Sequence, residues 1–243
     1  MRKWILKYEN PLELHMKSRE QVLKAVRKVK SNGFTAIGKL PSAKNGAMVQ
    51  YESSLEEDFA SVLEFNIGVI KYVEQPVKIE FKNESGKQCS YTPDFVAFYR
   101  KDRQDYKSLP PQLFEVKRRQ DIKRSWVDLK PKFIAALKFA DKKGWKFKII
   151  TEQEIYSPYF INAKFLLPYM RQTPEIGLVN TILDTLEYLD SGTPSEILAV
   201  ASNDLDRKIT LIPALWYLIG QRMIGCDLNN KLTMESDIWY IEN

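Results

Sequence analysis

Tyr91-Thr92-Pro93-Asp94 and, about twenty residues further on, Phe114-Glu115-Val116-Lys117 are the stretches whose reading decides the fold. On an extended strand successive side chains alternate between faces, so Glu115 and Lys117 point one way while Phe114 and Val116 point the other. Such a strand offers an apolar face to a core and a carboxylate with an ammonium to a site. The Pro-Asp pair ahead of it supplies a second carboxylate.

Phosphodiester hydrolysis is the chemistry that uses this set. Hard cations such as Mg²⁺, with Mn²⁺ able to substitute, take oxygen ligands and keep several waters, so converging carboxylates hold them against a scissile phosphate. A lysine beside them orients a water or stabilises charge developing on the phosphate. Either motif alone also fits a plain turn or an exposed strand pair, so the weight lies on their order, spacing and surroundings.

At 243 residues the chain is long enough to bury a sizeable core and to hold one medium domain with a smaller one. No apolar run approaches the roughly 18 residues of a membrane helix, and Met1-Arg2-Lys3 is not followed by a signal-peptide core. A membrane partner is therefore not expected, and the expected location is a prokaryotic cytoplasm, with nucleoid association when assembled on DNA. Two distant cysteines, Cys89 and Cys226, suit a reducing compartment and are too few for a zinc cluster. A single histidine, His15, disfavours histidine-based nuclease motifs, and no Walker-type glycine loop points to ATP.

The net charge of +6 is unevenly distributed. Residues 1–48 hold 11 basic and 3 acidic side chains, residues 49–99 hold 4 and 9, residues 100–148 hold 16 and 6, and residues 149–243 hold 6 and 13. The basic stretch contains Glu115-Val116-Lys117 and runs directly into Arg118 and Arg119, with Lys123 and Arg124 close behind. A carboxylate cluster bordered by a polyanion track has this pattern.

Residues 19–30 read as a basic helix ended by Asn32-Gly33. Residues 51–65 read as an amphipathic helix with Leu55, Phe59, Val62 and Leu63 on one stripe. Val77 to Phe81 alternates as a strand, Asn83 to Gly86 turns, and Gln88 to Tyr99 returns as its hairpin partner. A polar loop leads to the Glu115 strand. Pro131 is placed to open a helix reaching about Lys142, and Lys146 to Thr151 forms another strand.

Helix, three strands, helix, strand, with the Pro-Asp pair on the second strand, resembles the restriction-endonuclease-like PD-(D/E)xK core, an α/β fold with a mixed sheet flanked by helices. That core takes a further acid from the first helix. Glu56 lies three, four and seven residues before Phe59, Ala60 and Leu63, at the inner edge of the stripe, whereas Glu57 aligns with Ser61 and Glu64 on the wet face. Glu56 is thus the preferred ligand. A capping box, Ser53 with Glu56 or Ser54 with Glu57, is an equal alternative for these glutamates.

Gly38-Lys39-Leu40-Pro41-Ser42, Met48 to Ser53, Leu55-Glu56, Asp58-Phe59, Glu74-Gln75-Pro76, Tyr91 to Phe95 and Phe114 to Lys117 together resemble the TnsA family over roughly residues 36–119. These are endonuclease subunits of heteromeric cut-and-paste transposases, including CRISPR-associated transposons. The resemblance implies cleavage of the 5′ ends of transposon DNA, while a TnsB-type DDE transposase processes the 3′ ends and a TnsC-type AAA+ ATPase regulates. Carried over residue by residue, it implies Glu56, Asp94, Glu115 and Lys117 as the catalytic set, with Glu56, Asp94, Glu115 and the Val116 carbonyl at the metal. Lys39, Ser42, Lys44, Arg118, Arg119, Lys123 and Arg124 are the candidate DNA contacts.

Residues 1–155 are expected to form the nuclease domain, with its basic N-terminal helical region, and residues 156–243 a second domain. In the latter, Thr193-Pro194-Ser195-Glu196 starts a helix, Ile209 to Gly220 is another, and Cys226 to Leu232 reads as a hairpin ending near Trp239. Two helices and a hairpin suggest a winged-helix-like α+β module. Its acidic balance favours a protein partner, in the family the TnsC-type ATPase, over DNA. The alternatives for the whole chain are a stand-alone restriction or repair nuclease and a non-catalytic DNA-binding scaffold on a nuclease fold.

Overall fold

The computed structural model describes residues 38–242, so the helix expected at residues 19–30 lies outside them. The described residues divide into two compact units, with the boundary in the chain between Ile155 and Tyr156. The first opens with a hairpin, β1 (Gly38–Ser42) and β2 (Ala47–Tyr51), in antiparallel register. Helix α1 (Ser54–Phe65) follows, and the Ser53 hydroxyl accepts the amide of Glu56 at its N-terminus. Leu55, Phe59 and Leu63 are buried as the stripe requires. Ser61 and Glu64, expected in water, are buried too. The reason is non-local: the turn after β1 covers that side, with Ser42 Oγ donating to Glu64 at 2.7 Å and the Ala43 amide at 2.9 Å.

Next come β3 (Val69–Glu74), β4 (Ile79–Lys82), β5 (Gln88–Tyr91), β6 (Phe95–Tyr99), the short helix α2 (Gln104–Lys107) and β7 (Gln112–Val116). Then follow α3 (Arg119–Arg124), α4 (Trp126–Lys142), β8 (Lys146–Ile150) and α5 (Glu152–Ile155). The central sheet has the order β3-β6-β7-β8, antiparallel except for the parallel pair β7 and β8, which α4 connects. It is a mixed sheet flanked by helices, as a nuclease-like fold requires. Its three leading strands are not the three read from the sequence. The chain from Gln88 to Tyr99 is two strands: β5 pairs with β4 in a separate hairpin, and β6 enters the central sheet beside β3. Pro93 between them has no N–H to continue a ladder. Strand β3 escapes periodicity because its register shifts between Val69 and Lys71.

Both faces of the sheet are covered. Phe59 of α1 meets Phe95 and Phe114 edge-on, with ring centroids 5.9 and 5.0 Å away. On the other face Ala136 of α4 packs into a cluster of Val73, Ile79, Tyr91, Val96 and Leu113. Helix α4 starts at Trp126, ahead of the expected Pro131, which therefore sits inside it. An interior proline costs one backbone bond, and buried Leu129 and Phe133 on either side hold the helix to the core.

The second unit contains α6 (Pro158–Met170), α7 (Ile176–Leu189), the two-residue strand β9 (Ser191–Gly192), α8 (Pro194–Ala201), α9 (Leu205–Gly220), β10 (Ile224–Cys226) and β11 (Ile238–Tyr240). Thr193 and Glu196 form a reciprocal capping box at α8, with Pro194 at the first turn. Asp204 caps α9, whose first residue, Leu205, lies four residues ahead of the expected Ile209 start. The three short strands pair antiparallel in the order β10-β11-β9. Residues 227–232, expected as the hairpin itself, belong to the connection between β10 and β11. Asn162 holds that connection, donating to the carbonyls of Leu228 and Asn230 and accepting the Leu232 amide.

Candidate active site

The break at Pro93 places Asp94. Its amide donates to Phe114 O at 3.0 Å and its carbonyl accepts the Gln75 amide at 2.7 Å, so its main chain is clamped between the end of β3 and β7. The carboxylate then reaches along β7, where Oδ2 accepts the Val116 N–H at 2.7 Å. The link between β5 and β6 is thereby joined to Val116, the last residue of β7 and the middle residue of the Glu-x-Lys motif.

Glu115 is 4 % exposed. Its Oε2 accepts the Tyr91 phenol at 2.5 Å and its Oε1 lies 3.4 Å from Lys117 Nζ. The strand alternation read from the sequence holds here: Phe114 packs on Phe59, while Glu115 meets Tyr91 on the opposite side. Lys117 follows the last residue of β7, and its amide donates to Ile150 O of β8.

Glu56 arrives from the first turn of α1. One oxygen accepts the Glu52 amide at 2.8 Å and the other the Ser53 hydroxyl at 2.9 Å, while Ser53 Oγ accepts the Glu56 amide. Ser53 therefore caps the helix, but the Glu56 carboxylate returns to the Glu52 amide and not to the Ser53 amide, so the reciprocal half of the expected capping box is not made. The Glu56 carboxylate also stands within electrostatic reach of the other two acids: burial pushes the Glu56 carboxyl above its usual range, and the charges of Glu52 and Glu115 add to this. Asp94 is driven well above the ordinary carboxylate range by withdrawal of its carboxylate from water, then by the charges of Glu115 and Glu56. The Val116 amide and Lys117 oppose that shift.

Among the described residues, no three Asp, Glu, His or Cys side chains are gathered as a finished metal cage. Each carboxylate has its own hydrogen-bond partners: Glu56 the Glu52 amide and the Ser53 hydroxyl, Glu115 the Tyr91 phenol and Lys117, and Asp94 the Val116 amide. Three interacting carboxylates with one ammonium nevertheless make an all-oxygen donor set short of positive charge, which fits a hard divalent cation.

The other candidates are spread over the unit. Ser42 is 5 % exposed and engaged with Glu64, and Lys44 Nζ donates to the carbonyls of Leu63 and Asn66, so both are built into the α1 contact. A phosphate contact there requires these bonds to be given up. Lys39, Arg118, Arg119, Lys123 and Arg124 are exposed. Arg119 contacts Gln153 and its amide meets Glu152, and Arg124 pairs with Asp121 at 2.9 Å.

Sequence reasoning assigned no role to Tyr91 or Glu64, and it set a reach of Gln75 into the site against the preferred reading of Glu74-Gln75-Pro76 as a strand entry. Tyr91 stands in the quoted Tyr-Thr-Pro-Asp string, and its position three residues before Asp94 was the available signal. Gln75 adopts a positive φ of 44° immediately before Pro76. Residues before proline favour extended backbone and non-glycine residues rarely take positive φ, so the conformation costs about 1–3 kcal/mol. Its Nε2 donates to Glu52 at 2.8 Å. Glu64 accepts from Ser42, Ala43, Lys44 and, at 2.9 Å, the Tyr72 phenol, a buried network holding β1 and β3 to α1.

A family model described as TnsA-like endonuclease N terminal matches residues 66–152. The matched segment runs from just before β3 to the start of α5, and so contains Asp94, Glu115 and Lys117 but not Glu56. This match supports the TnsA-family resemblance carried by the sequence motifs. A comparison with curated proteins finds no match.

Proposed function

We propose that this chain is the Mg²⁺-dependent endonuclease subunit of a heteromeric transposase and that it hydrolyses phosphodiesters at the 5′ ends of the element. The TnsA-like match supports a transposase nuclease subunit. The observation that carries the site assignment is the bond from the Val116 amide to Asp94 beside the Glu115 and Lys117 pair. It brings the two halves of the motif to one end of adjacent strands.

Asp94, Glu115 and the Val116 carbonyl would hold the ion, with Glu56 joining if its carboxylate leaves the cap. Mn²⁺ would be accepted by the same oxygens. When bound, the ion supplies Lewis-acid polarisation of the phosphate and a lowered pKa for an attacking water. Lys117 Nζ, already directed at Glu115 Oε1, is placed to hold that water or to stabilise charge on a phosphate oxygen. The exposed Arg118, Arg119, Lys123 and Arg124, with Lys39, guide the DNA backbone.

The C-terminal unit supports a winged-helix-like reading through the part of it after α6, which runs helix, short strand, two helices and two strands, with the first strand paired to the last. Its acidic composition favours a protein partner, a TnsC-type ATPase, with a TnsB-type DDE transposase as catalytic companion. Membership in a CRISPR-associated element remains part of the same proposal.

The test is cleavage of transposon-end DNA by the reconstituted subunits with Mg²⁺. Asp94→Ala and Lys117→Ala should each lower 5′-end cutting by about 100-fold or more while partner binding persists. Cutting by Asp94→Ala at the wild-type rate would remove the site assignment.

A further inference from the structure

Gln75 carries the one buried side-chain oxygen within the nuclease unit's described residues that has no hydrogen-bond partner, its Oε1. The residue is only 8 % exposed. A carboxylate accepts, so the amide nitrogen must be the atom that faces Glu52, which fixes the orientation of the group and leaves Oε1 as the orphan. A buried acceptor without a donor is unfavourable, and native proteins seldom tolerate one without a reason.

The backbone does not account for the choice of residue. At φ 44° a glycine would be unstrained, and it would keep the amide that donates to Asp94 O. A glutamine here adds strain and an unsatisfied oxygen together. What its side chain touches is the acidic cluster: Nε2 binds the Glu52 carboxylate, and the Glu52 amide in turn binds the carboxylate of Glu56. The main chain of the same residue binds Asp94. Gln75 is thus joined to two of the three acids proposed to face the ion.

We propose that Gln75 is a positioning residue of this site, whose Oε1 accepts a hydrogen bond from a water in the hydration shell of the bound divalent cation. This rests on the metal-nuclease reading above. Nε2 meanwhile holds Glu52, and through its amide the Glu56 carboxylate, at a set distance from Asp94. Partners of this kind commonly tune metal affinity and activity by 10–100-fold. The orphaned oxygen is then a cost in the metal-free protein that hydration of the ion removes.

The test compares the full chain with Gln75→Met, which keeps length and apolar bulk, and Gln75→Gly, which keeps the backbone and relieves φ. Mn²⁺ binding without DNA is followed by electron paramagnetic resonance, thermal melting is measured in chelator, and 5′-end cutting is measured in the reconstituted reaction. Both variants should bind Mn²⁺ about tenfold more weakly and cut more slowly, while melting in chelator at or above the wild-type temperature. A residue that serves only folding would give the reverse, with lowered melting and unchanged Mn²⁺ affinity, and that result would overturn the inference alone. No Mn²⁺ binding by the wild-type chain would remove the metal-nuclease reading and this inference with it.

Discussion

Tyr91 and Glu115, 24 residues apart, share a 2.5 Å hydrogen bond in which the phenol donates to Oε2. Burial and the neighbouring carboxylates of Glu115 and Asp94 push the phenol's pKa up, so it remains a donor over the working range of pH. The bond fixes one oxygen of Glu115 and leaves the other beside Lys117.

Tyr91→Phe deletes that donor and nothing else of the ring. Hydrogen bonds to charged groups contribute about 1.5–3 kcal/mol, so denaturant unfolding should show a loss of about 2 kcal/mol. Mn²⁺ affinity should fall about tenfold, because a carboxylate ligand is less well oriented without its partner. Unchanged affinity in a titration would mean that Tyr91 serves the core only.

Asp94 sets a pH dependence. Its folded-state pKa stands above the unfolded value of 3.8, so the folded chain binds this proton more tightly. Stability from this group is therefore full below about 3.8 and is lost as pH rises through the folded value. Glu56 shifts in the same direction and adds to the effect. Asp94→Asn keeps the acceptor for the Val116 amide and cannot ionise. In chelator it should melt above the wild type at about pH 8, with the difference closing as pH falls toward about 4. Added Mn²⁺ should stabilise the wild type and not the variant.

Glu64 separates folding from chemistry. Glu64→Leu would leave Ser42, Tyr72 and the Ala43 amide without an acceptor in a buried setting. A loss of about 3 kcal/mol in urea unfolding is expected. Mn²⁺ affinity of the folded fraction should not change, and a parallel loss would place Glu64 in the site.

Arg118, Arg119, Lys123 and Arg124 are exposed on and beside α3. If they neutralise phosphates, each alanine substitution should reduce the slope of log affinity against log salt by about one. Fluorescence anisotropy on a duplex over a range of KCl measures it. Equal slopes for wild type and the fourfold variant would assign this charge to plain solvation.

Features set by neighbouring residues were legible in the sequence. The strand alternation at Glu115 and Lys117, the Asn83 to Gly86 turn, the serine cap of α1 and the Thr193 capping box each follow from a few adjacent side chains. Features set by distant contacts were not. Ser61 and Glu64 are periodic with the wet face of α1 and became core because a hairpin folds over them. The division of Gln88 to Tyr99 into β5 and β6 depends on which strands lie alongside, although Pro93 marked the place. In the site, the motif spacing singled out the candidate acids and the lysine, whereas the contacts of Tyr91 with Glu115 and of Gln75 with Glu52 depend on chain segments distant in sequence.

The two outer strands of the central sheet bear on how the chain behaves at high concentration. β3 carries a register shift near its start and ends at a left-handed residue followed by proline, while β8 exposes Lys146 and Lys148. Kinks, proline and lysine along a sheet border discourage a neighbouring molecule from adding a strand. The sheet borders of this unit are therefore poor templates for edge-to-edge aggregation.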